Sequence, residues 1–278
     1  MRNIIIATGL ALLCGCASNK PLHLKLAVND IYCTDTACSC VHDVATRTYP
    51  QTVDKLERKY GIKLQFVYFP ESYQLENAIL SGEYDGAICK PWTSLMLQKM
   101  AGASFQRIVD VLDPNNNRWL SGIFVVPVDS PIQTLEELEG KHLYIGQSDA
   151  YEKHQAAKRL LAQRGIKPAR IDNNASCSEN VGVLLDNEAD AVVLSDYTLS
   201  ADCASDFASP EDFRILAHTE KIPLTSVVLD MKKVSPEDAR RVQKALLSVS
   251  GIGAAKTLQS KGFVKPSPWN PPELREAP

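Results

Sequence analysis

The chain has 278 residues, 45% hydrophobic and 23% charged, with a formal net charge of -3. This is ordinary globular composition, which excludes a disordered or fibrous chain. The charge balance and the absence of a basic run offer no footing for a nucleic-acid partner.

The N-terminus sets the expected compartment. Met1-Arg2-Asn3 is a short positive region and Ile4–Leu13 an apolar run too short to span a bilayer as a mature helix. The run ends in Leu13-Cys14-Gly15-Cys16, which resembles a bacterial lipobox with Cys16 as the lipidated first residue. The alternatives are an ordinary signal peptide cut at Ala17 or a buried N-terminal helix. Residues 1–15 are therefore expected to be a lipoprotein signal peptide, and the mature protein to be periplasmic and membrane-anchored through Cys16. Ala17 after the cysteine favours the outer membrane if the host is Gram-negative. No later stretch is apolar and long enough for a transmembrane helix.

Strand and helix patterns then alternate. Leu22–Val28 reads as a strand, and Thr52–Tyr60 as a helix with Pro50 near its start and Gly61 at its end. Lys63–Phe69 reads as a strand, Tyr73–Leu80 as a helix, Gly86–Cys89 as a buried strand and Thr93–Met100 as a helix. Two long strands, Phe105–Leu112 and Trp119–Val128, flank the turn residues Asp113-Pro114-Asn115-Asn116-Asn117. Leu135–Leu138 is a short helix, His142–Ile145 a buried strand, Gly146–Ala150 a polar loop and Tyr151–Arg164 an amphipathic helix with Ala156, Leu160 and Leu161 on one face. A further helix starts near Cys177. Strands Ala191–Leu194, Arg214–Ala217 and Ser226–Met231 follow, then helices Pro236–Val249 and Ala254–Ser260. The proline-rich tail after Phe263 is expected to drape over the surface. Such alternation predicts an α/β protein with mostly parallel sheets flanked by helices.

An internal echo points to two lobes. Leu75–Trp92 and Val181–Tyr197 each read as a helix end, a tight acidic turn, a short apolar strand and a polar-aromatic loop. The same pattern also suits any α/β unit. With crossovers near Trp119–Gly122 and His218–Pro223, lobe one would comprise residues 16–120 and 222–278, and lobe two residues 121–221.

Ligands of open α/β sheets bind beyond the carboxyl ends of strands. The candidate ligand-binding residues at such ends are Tyr32, Lys90, Trp92, Ser148, Asp149, Tyr151, Glu152, His154, Asp196 and Tyr197. A helix start near Ser148 would offer free N–H groups to an anion, and Lys90, Lys153 and His154 positive charge. Glu152 and Asp196 would meet a cationic end. Ser148 or Asp149 reads equally well as a helix N-cap.

The run Leu138-Glu139-Gly140-Lys141, strand His142–Ile145, loop Gly146–Ala150, helix and Gly165-Ile166 resembles the second lobe of type II periplasmic substrate-binding proteins. The similarity is greatest to the phosphonate- and phosphite-binding group of ABC importers, and it extends over roughly Lys25–Phe263. It implies a two-lobed fold that closes on a small anionic, phosphonate-like solute and delivers it to an ABC permease, with no cofactor and a monomeric state. The serine/threonine-rich loop of that group is replaced by Gln147–His154, which holds one serine and two carboxylates.

Six cysteines remain beyond the lipobox: Cys33, Cys38, Cys40, Cys89, Cys177 and Cys203. In an oxidising compartment disulfides are the expected state, with Cys177–Cys203 the first pairing and three connectivities open to the other four. The competing reading is a Cu(I) or Zn(II) site at Cys33, Cys38, Cys40 and His42. It would make the protein an accessory or metal-handling component of a periplasmic redox system. No Gly-x-Ser-x-Gly, Walker or His-Glu-x-x-His motif occurs, so no enzyme activity is expected.

Overall fold

The computed structural model describes residues 20–33, 35–36, 47–100, 104–113, 115–174, 176–200, 208–249, 258, 260–269 and 271. Cys16, Cys38, Cys40, His42 and Cys203 lie outside the described residues, as does most of the expected helix Ala254–Ser260.

The elements run in the order β1 (Leu22–Asn29), α1 (Pro50–Tyr60), β2 (Ile62–Tyr68), α2 (Ser72–Leu80), β3 (Gly86–Cys89), α3 (Pro91–Met100) and β4 (Phe105–Val111). Next come β5 (Trp119–Leu120), β6 (Gly122–Pro127), β7 (His142–Gly146), α4 (Gln155–Arg164), β8 (Arg170–Asn174), α5 (Cys177–Leu185) and β9 (Ala191–Ser195). The chain continues through β10 (Phe213–His218), β11 (Ile222–Pro223), β12 (Ser226–Asp230), α6 (Pro236–Leu247) and β13 (Phe263–Val264). One sheet has the order β13-β4-β12-β3-β1-β2, the other β10-β6-β9-β7-β8, and β5 pairs with β11 as a two-stranded ribbon. The first sheet therefore draws on both ends of the chain and the second on its middle.

Each sheet is covered on both faces, which is why its strands read as short apolar runs. In the first lobe, Leu24, Leu26, Val28, Ile88, Val227 and Leu229 pack on one face with Leu56 of α1 and Val242 of α6. Ala27, Ala87, Cys89 and Val228 pack on the other with Leu75 of α2 and Leu97 of α3. In the second lobe, Ile123, Val125, Val192 and Leu194 face α5, while Phe124, Leu143, Ile145 and Val193 lie under Ala157 and Leu161 of α4.

The sheets are mixed rather than uniformly parallel. Strands β1, β2 and β3 pair in parallel, as do β7, β8 and β9, but β12 and β6 run against their neighbours. The ribbon explains this. A strand that follows a crossing enters its sheet from the ribbon end and runs away from it, so Gly122 at the start of β6 pairs with Ser195 at the end of β9. Ser226 at the start of β12 likewise pairs with Cys89 at the end of β3.

Three local readings need correction. The expected strand Trp119–Val128 breaks at Ser121, where the ribbon hands over to the sheet. The expected helix Tyr151–Arg164 is a 3-10 turn over Tyr151–Lys153 followed by α4 from Gln155. The Glu152 carbonyl accepts from Thr219 Oγ1 at 3.0 Å, so it is drawn out of the helical ladder. The tail is also docked rather than draped. Phe263 pairs with Val111, and the Ser267 N–H donates to the buried Asp110 carboxylate at 2.8 Å. Strand β8 escaped the sequence reading because Arg-Ile-Asp-Asn-Asn is a polar edge strand beside β7.

At the mouth of the first lobe lies a fully buried ion pair. Arg47 donates to both Asp30 oxygens, at 2.8 and 2.7 Å, and its Nε donates to the Leu258 carbonyl at 2.6 Å. Tyr49 and Thr225 hydroxyls also donate to Asp30, at 2.6 and 3.1 Å. Removing one partner strands the other charge. Arg47→Met should therefore cost about 3–5 kcal/mol in chemical denaturation, and a loss below about 1 kcal/mol would show the pair to be dispensable.

Candidate functional site at the seam between the lobes

The carboxyl ends of β1 and β3 in the first lobe meet those of β7 and β9 in the second. Among the described residues, side-chain contacts cross this seam at several points. The Ser72 hydroxyl at the start of α2 donates to Asp149 Oδ2 at 3.1 Å. The Trp92 ring lies 6.3 Å from that of Tyr151 at an angle of 30°. Tyr32 and Tyr197 lie 6.3 Å apart at 54°. These separations fit favourable aromatic pairs, and Ile31 and Leu95 add apolar surface to the same cluster.

Of the residues expected from sequence, the seam brings together Tyr32, Trp92, Asp149, Tyr151 and Tyr197. Lys90 is half-buried next to Trp92 along the chain, and its ammonium has no hydrogen-bond or ion-pair partner among the described residues. Ser148 is exposed at the tip of the β7–α4 loop. It caps no helix, because α4 begins after His154. The N–H groups of Ser148 and Asp149 have no acceptor among the described residues.

The other three expected residues are engaged within the second lobe. Asp196 accepts from the Ser121 N–H at 3.0 Å and from its hydroxyl at 2.8 Å, which ties the end of β9 to the ribbon. Glu152 is buried and accepts from the Ser195 hydroxyl at 2.7 Å. Burial raises its pKa, opposed by the Lys153 charge and the Ser195 hydrogen bond. His154 is buried with Nδ1 2.6 Å from the Gly146 carbonyl and Nε2 2.9 Å from Lys158 Nζ. Those partners assign the proton to Nδ1, which donates to the carbonyl, while Nε2 accepts from the lysine. Lys153 Nζ reaches Cys177 Sγ at 3.0 Å, and its methylenes cover Gly146 so closely that a Cβ there would lie 2.3 Å away.

Tyr151 is held from behind. Its hydroxyl donates to Glu220 Oε1 at 2.9 Å and accepts from Arg159 at 2.7 Å, and Trp269 of the tail packs edge-on at 5.5 Å. Burial raises the phenol pKa, so it stays a neutral donor. Sequence reasoning missed Trp269, Glu220, Arg159 and Ser72. A tryptophan inside a proline-rich tail was the one available signal, since an apolar ring of that size is seldom left in solvent.

The cysteines in lobe one do not pair as expected. Cys33 and Cys89 are buried free thiols on opposite faces of the first sheet, Cys33 with Leu56 and Cys89 with Leu75. Desolvation pushes the Cys33 thiol up to about 11 and raises Cys89 as well, so both stay protonated. The Cys177–Cys203 pairing and the Cys38, Cys40 and His42 metal set reach outside the described residues. Among the described residues, no group of three or more acidic, histidine or cysteine side chains has the spacing of a metal site.

Comparison with known proteins places the chain in this setting. The family described as ABC transporter, phosphonate, periplasmic substrate-binding protein matches residues 41–270. No curated protein sequence matches. Among solved structures, XAC2383 from Xanthomonas citri, bound to chloride ion, is similar at a TM-score of 0.67 and 18% identity, covering 91% of this chain and 94% of that one. The same protein bound to ATP gives 0.66. PhnD1 from Prochlorococcus marinus in complex with methylphosphonate gives a TM-score of 0.63 at 10% identity, covering 89% and 94%. At these identities the likeness is one of fold.

The neutral His154 has a pH consequence. Burial lowers its pKa below the usual 6.5, so below that value the unfolded chain takes up a proton that the folded protein resists. Stability contributed by neutral His154 is therefore present above pH 6.5 and declines as pH falls below it. His154→Gln should flatten the acid limb of a melting-temperature profile. An unchanged limb would remove His154 as its cause.

Proposed function

We propose that this chain, which belongs to the family of phosphonate-type periplasmic substrate-binding proteins of ABC transporters, is a lipid-anchored receptor for a small anionic solute that it passes to an ABC permease. Members of the family are transport receptors rather than enzymes. The observation that carries the reading is the seam itself. Aromatic rings from both lobes, Trp92 with Tyr151 and Tyr32 with Tyr197, line the place where strand ends meet. Lys90, two residues before Trp92, and the N–H groups of Ser148 and Asp149, in the loop that leads to Tyr151, are without partners among the described residues. Donors of this kind next to apolar walls suit a small anion. Chloride, ATP and methylphosphonate, the ligands of proteins with the same fold, are all anions.

In this reading the lobes close by bending at the β5–β11 ribbon, and the anion joins Lys90 of one lobe to the loop N–H groups of the other. A ligand that touches both lobes binds the closed form better than the open form, and that difference drives closure. The closed form then docks on the permease. Cys16 carries the lipid that holds the receptor at the membrane.

Isothermal titration with methylphosphonate, phosphate and methanesulfonate tests the receptor reading. At least one should bind saturably, and Lys90→Ala should weaken it by about 1.5–3 kcal/mol, the scale of a charged hydrogen bond. Absence of saturable binding by all three would sink the anion assignment. The anchor is tested separately: Cys16→Ser should move the protein from the membrane fraction to the soluble periplasmic fraction. Unchanged membrane retention, with no lipid on the mature N-terminus by mass spectrometry, would refute it.

A further inference from the structure

The proline-rich tail connects the two lobes. Lys265-Pro266-Ser267-Pro268-Trp269 follows β13 and stays on the first lobe as far as Ser267. Arg118, which leads into the ribbon, donates to the Lys265 carbonyl at 2.6 Å. Arg107 donates to the Ser267 carbonyl and hydroxyl oxygens, each at 3.2 Å. The Ser267 N–H and hydroxyl both donate to Asp110 Oδ2 at 2.8 Å. Pro266 and Pro268 fix their own φ and bias the residue before each to extended backbone. The stretch is therefore stiff, and the anchored Ser267 sets where Trp269 lies. The half-buried Trp269 ring then meets Tyr151 of the second lobe edge-on, at 5.5 Å and 85°. Trp92 pairs with the same tyrosine at 6.3 Å, so two tryptophans of the first lobe hold one ring of the second. The Tyr151 hydroxyl is tied to Glu220 and Arg159, which fixes that ring to its own lobe. The apolar cluster around these rings includes Leu120 and Ile222 of the ribbon. The crossing contact of Trp269 is ring on ring. Its Nε1 is buried with no acceptor among the described residues. A donor hidden in this way carries a desolvation cost that contact with water would relieve. The tail is thus firmly held up to Ser267 and releasable at Trp269.

We propose that Lys265–Trp269 is a strap between the lobes, and that Trp269 is a positioning residue which holds the lobes together through Tyr151 before any ligand arrives. The strap stands on the contacts of the tail alone, while its effect on ligand affinity rests on the receptor reading above. A contact made in the closed form and absent from the open form shifts the equilibrium toward closure. A larger fraction of the ligand-free protein then has the lobes together, and the apparent affinity rises with that fraction. The β5–β11 ribbon permits bending, and the strap joins the lobes at a second place where bending must break a contact. Hydration of the Trp269 N–H in the open form offsets part of what that break costs, so the strap biases the lobes without locking them.

The test compares the full chain with Trp269→Ala and Trp269→Phe, each checked for folding by its unfolding midpoint. Small-angle X-ray scattering gives the radius of gyration without ligand, and calorimetric titration gives the affinity for methylphosphonate. Trp269→Ala should have the larger radius and should bind methylphosphonate roughly two- to tenfold more weakly, the scale of one aromatic pair. Trp269→Phe keeps a ring against Tyr151 and removes the N–H that lacks an acceptor, so it should retain the radius and affinity of the unsubstituted chain. An unchanged radius in Trp269→Ala overturns the strap even if the midpoint falls, because a merely structural contact lowers stability without moving the lobes. A Trp269→Phe chain that expands like Trp269→Ala overturns the ring-on-ring assignment. A larger radius in Trp269→Ala with unchanged affinity upholds the strap and overturns its part in binding. A larger radius with no methylphosphonate binding by any of the three chains upholds the strap and counts against the receptor reading alone.

Discussion

The mouth of the first lobe is organised by one buried carboxylate. Asp30 follows β1 directly, and through Arg47, Tyr49 and Thr225 it gathers two separate stretches of chain onto that strand end. Arg47 then extends the same network to the Leu258 carbonyl. Such a pair adds little net stability over an apolar replacement, since desolvating both charges offsets their attraction. Its effect is geometric. Thr225 follows the ribbon directly, so the point at which the chain re-enters the first sheet is held rigidly to the strand end that faces the ligand. Asp110 does the same on the other side, accepting from Arg107, Arg118, Ser226 and Ser267. The ribbon thus leaves a base held at two points, Thr225 by Asp30 and Ser226 by Asp110.

Everything in the second lobe takes its orientation from that ribbon. Gly122 is where β6 departs, and a Cβ there would lie 2.3 Å from the Glu152 carbonyl. The β7–α4 loop therefore sits directly on the departing strand. Thr219 completes the joint: it accepts from the Gly122 N–H at 2.7 Å and donates to Glu152 O. Asp196 binds Ser121 from the adjacent strand end. The loop that faces the first lobe is thereby tied to the ribbon through the contacts of Gly122 and Thr219 with Glu152.

Much of this fold was legible in the sequence, and the reason is the two-faced burial of both sheets. Gly86–Cys89 and Ala191–Leu194 read as strands because every residue in them is buried. Pro50 and Gly61 marked α1 because one fits the first helical turn and the other takes a left-handed φ of 62°. The exposed edge strand β8 was not legible, since nothing selects apolar residues there. Nor was the reversal of β6 and β12, which depends on which end of the sheet the chain enters and leaves no mark on hydrophobic period. Of the site, the aromatic residues could be named because large rings after strand ends are conspicuous. Ser72 could not, since it lies in a helix whose pattern is explained without it, and only the fold brings its hydroxyl to Asp149.

The β7–α4 loop carries a substituted segment on an unchanged fold. In place of hydroxyls it holds Asp149, Glu152, Lys153 and His154. Three of these turn inward: Glu152 to Ser195, Lys153 to Cys177 and His154 to Gly146. Buried polar groups satisfied in this way stiffen a loop but offer nothing to a ligand. Asp149 alone faces the first lobe, where it meets Ser72. The loop therefore presents to the first lobe backbone N–H groups without acceptors among the described residues and one carboxylate, Asp149, held by the Ser72 hydroxyl.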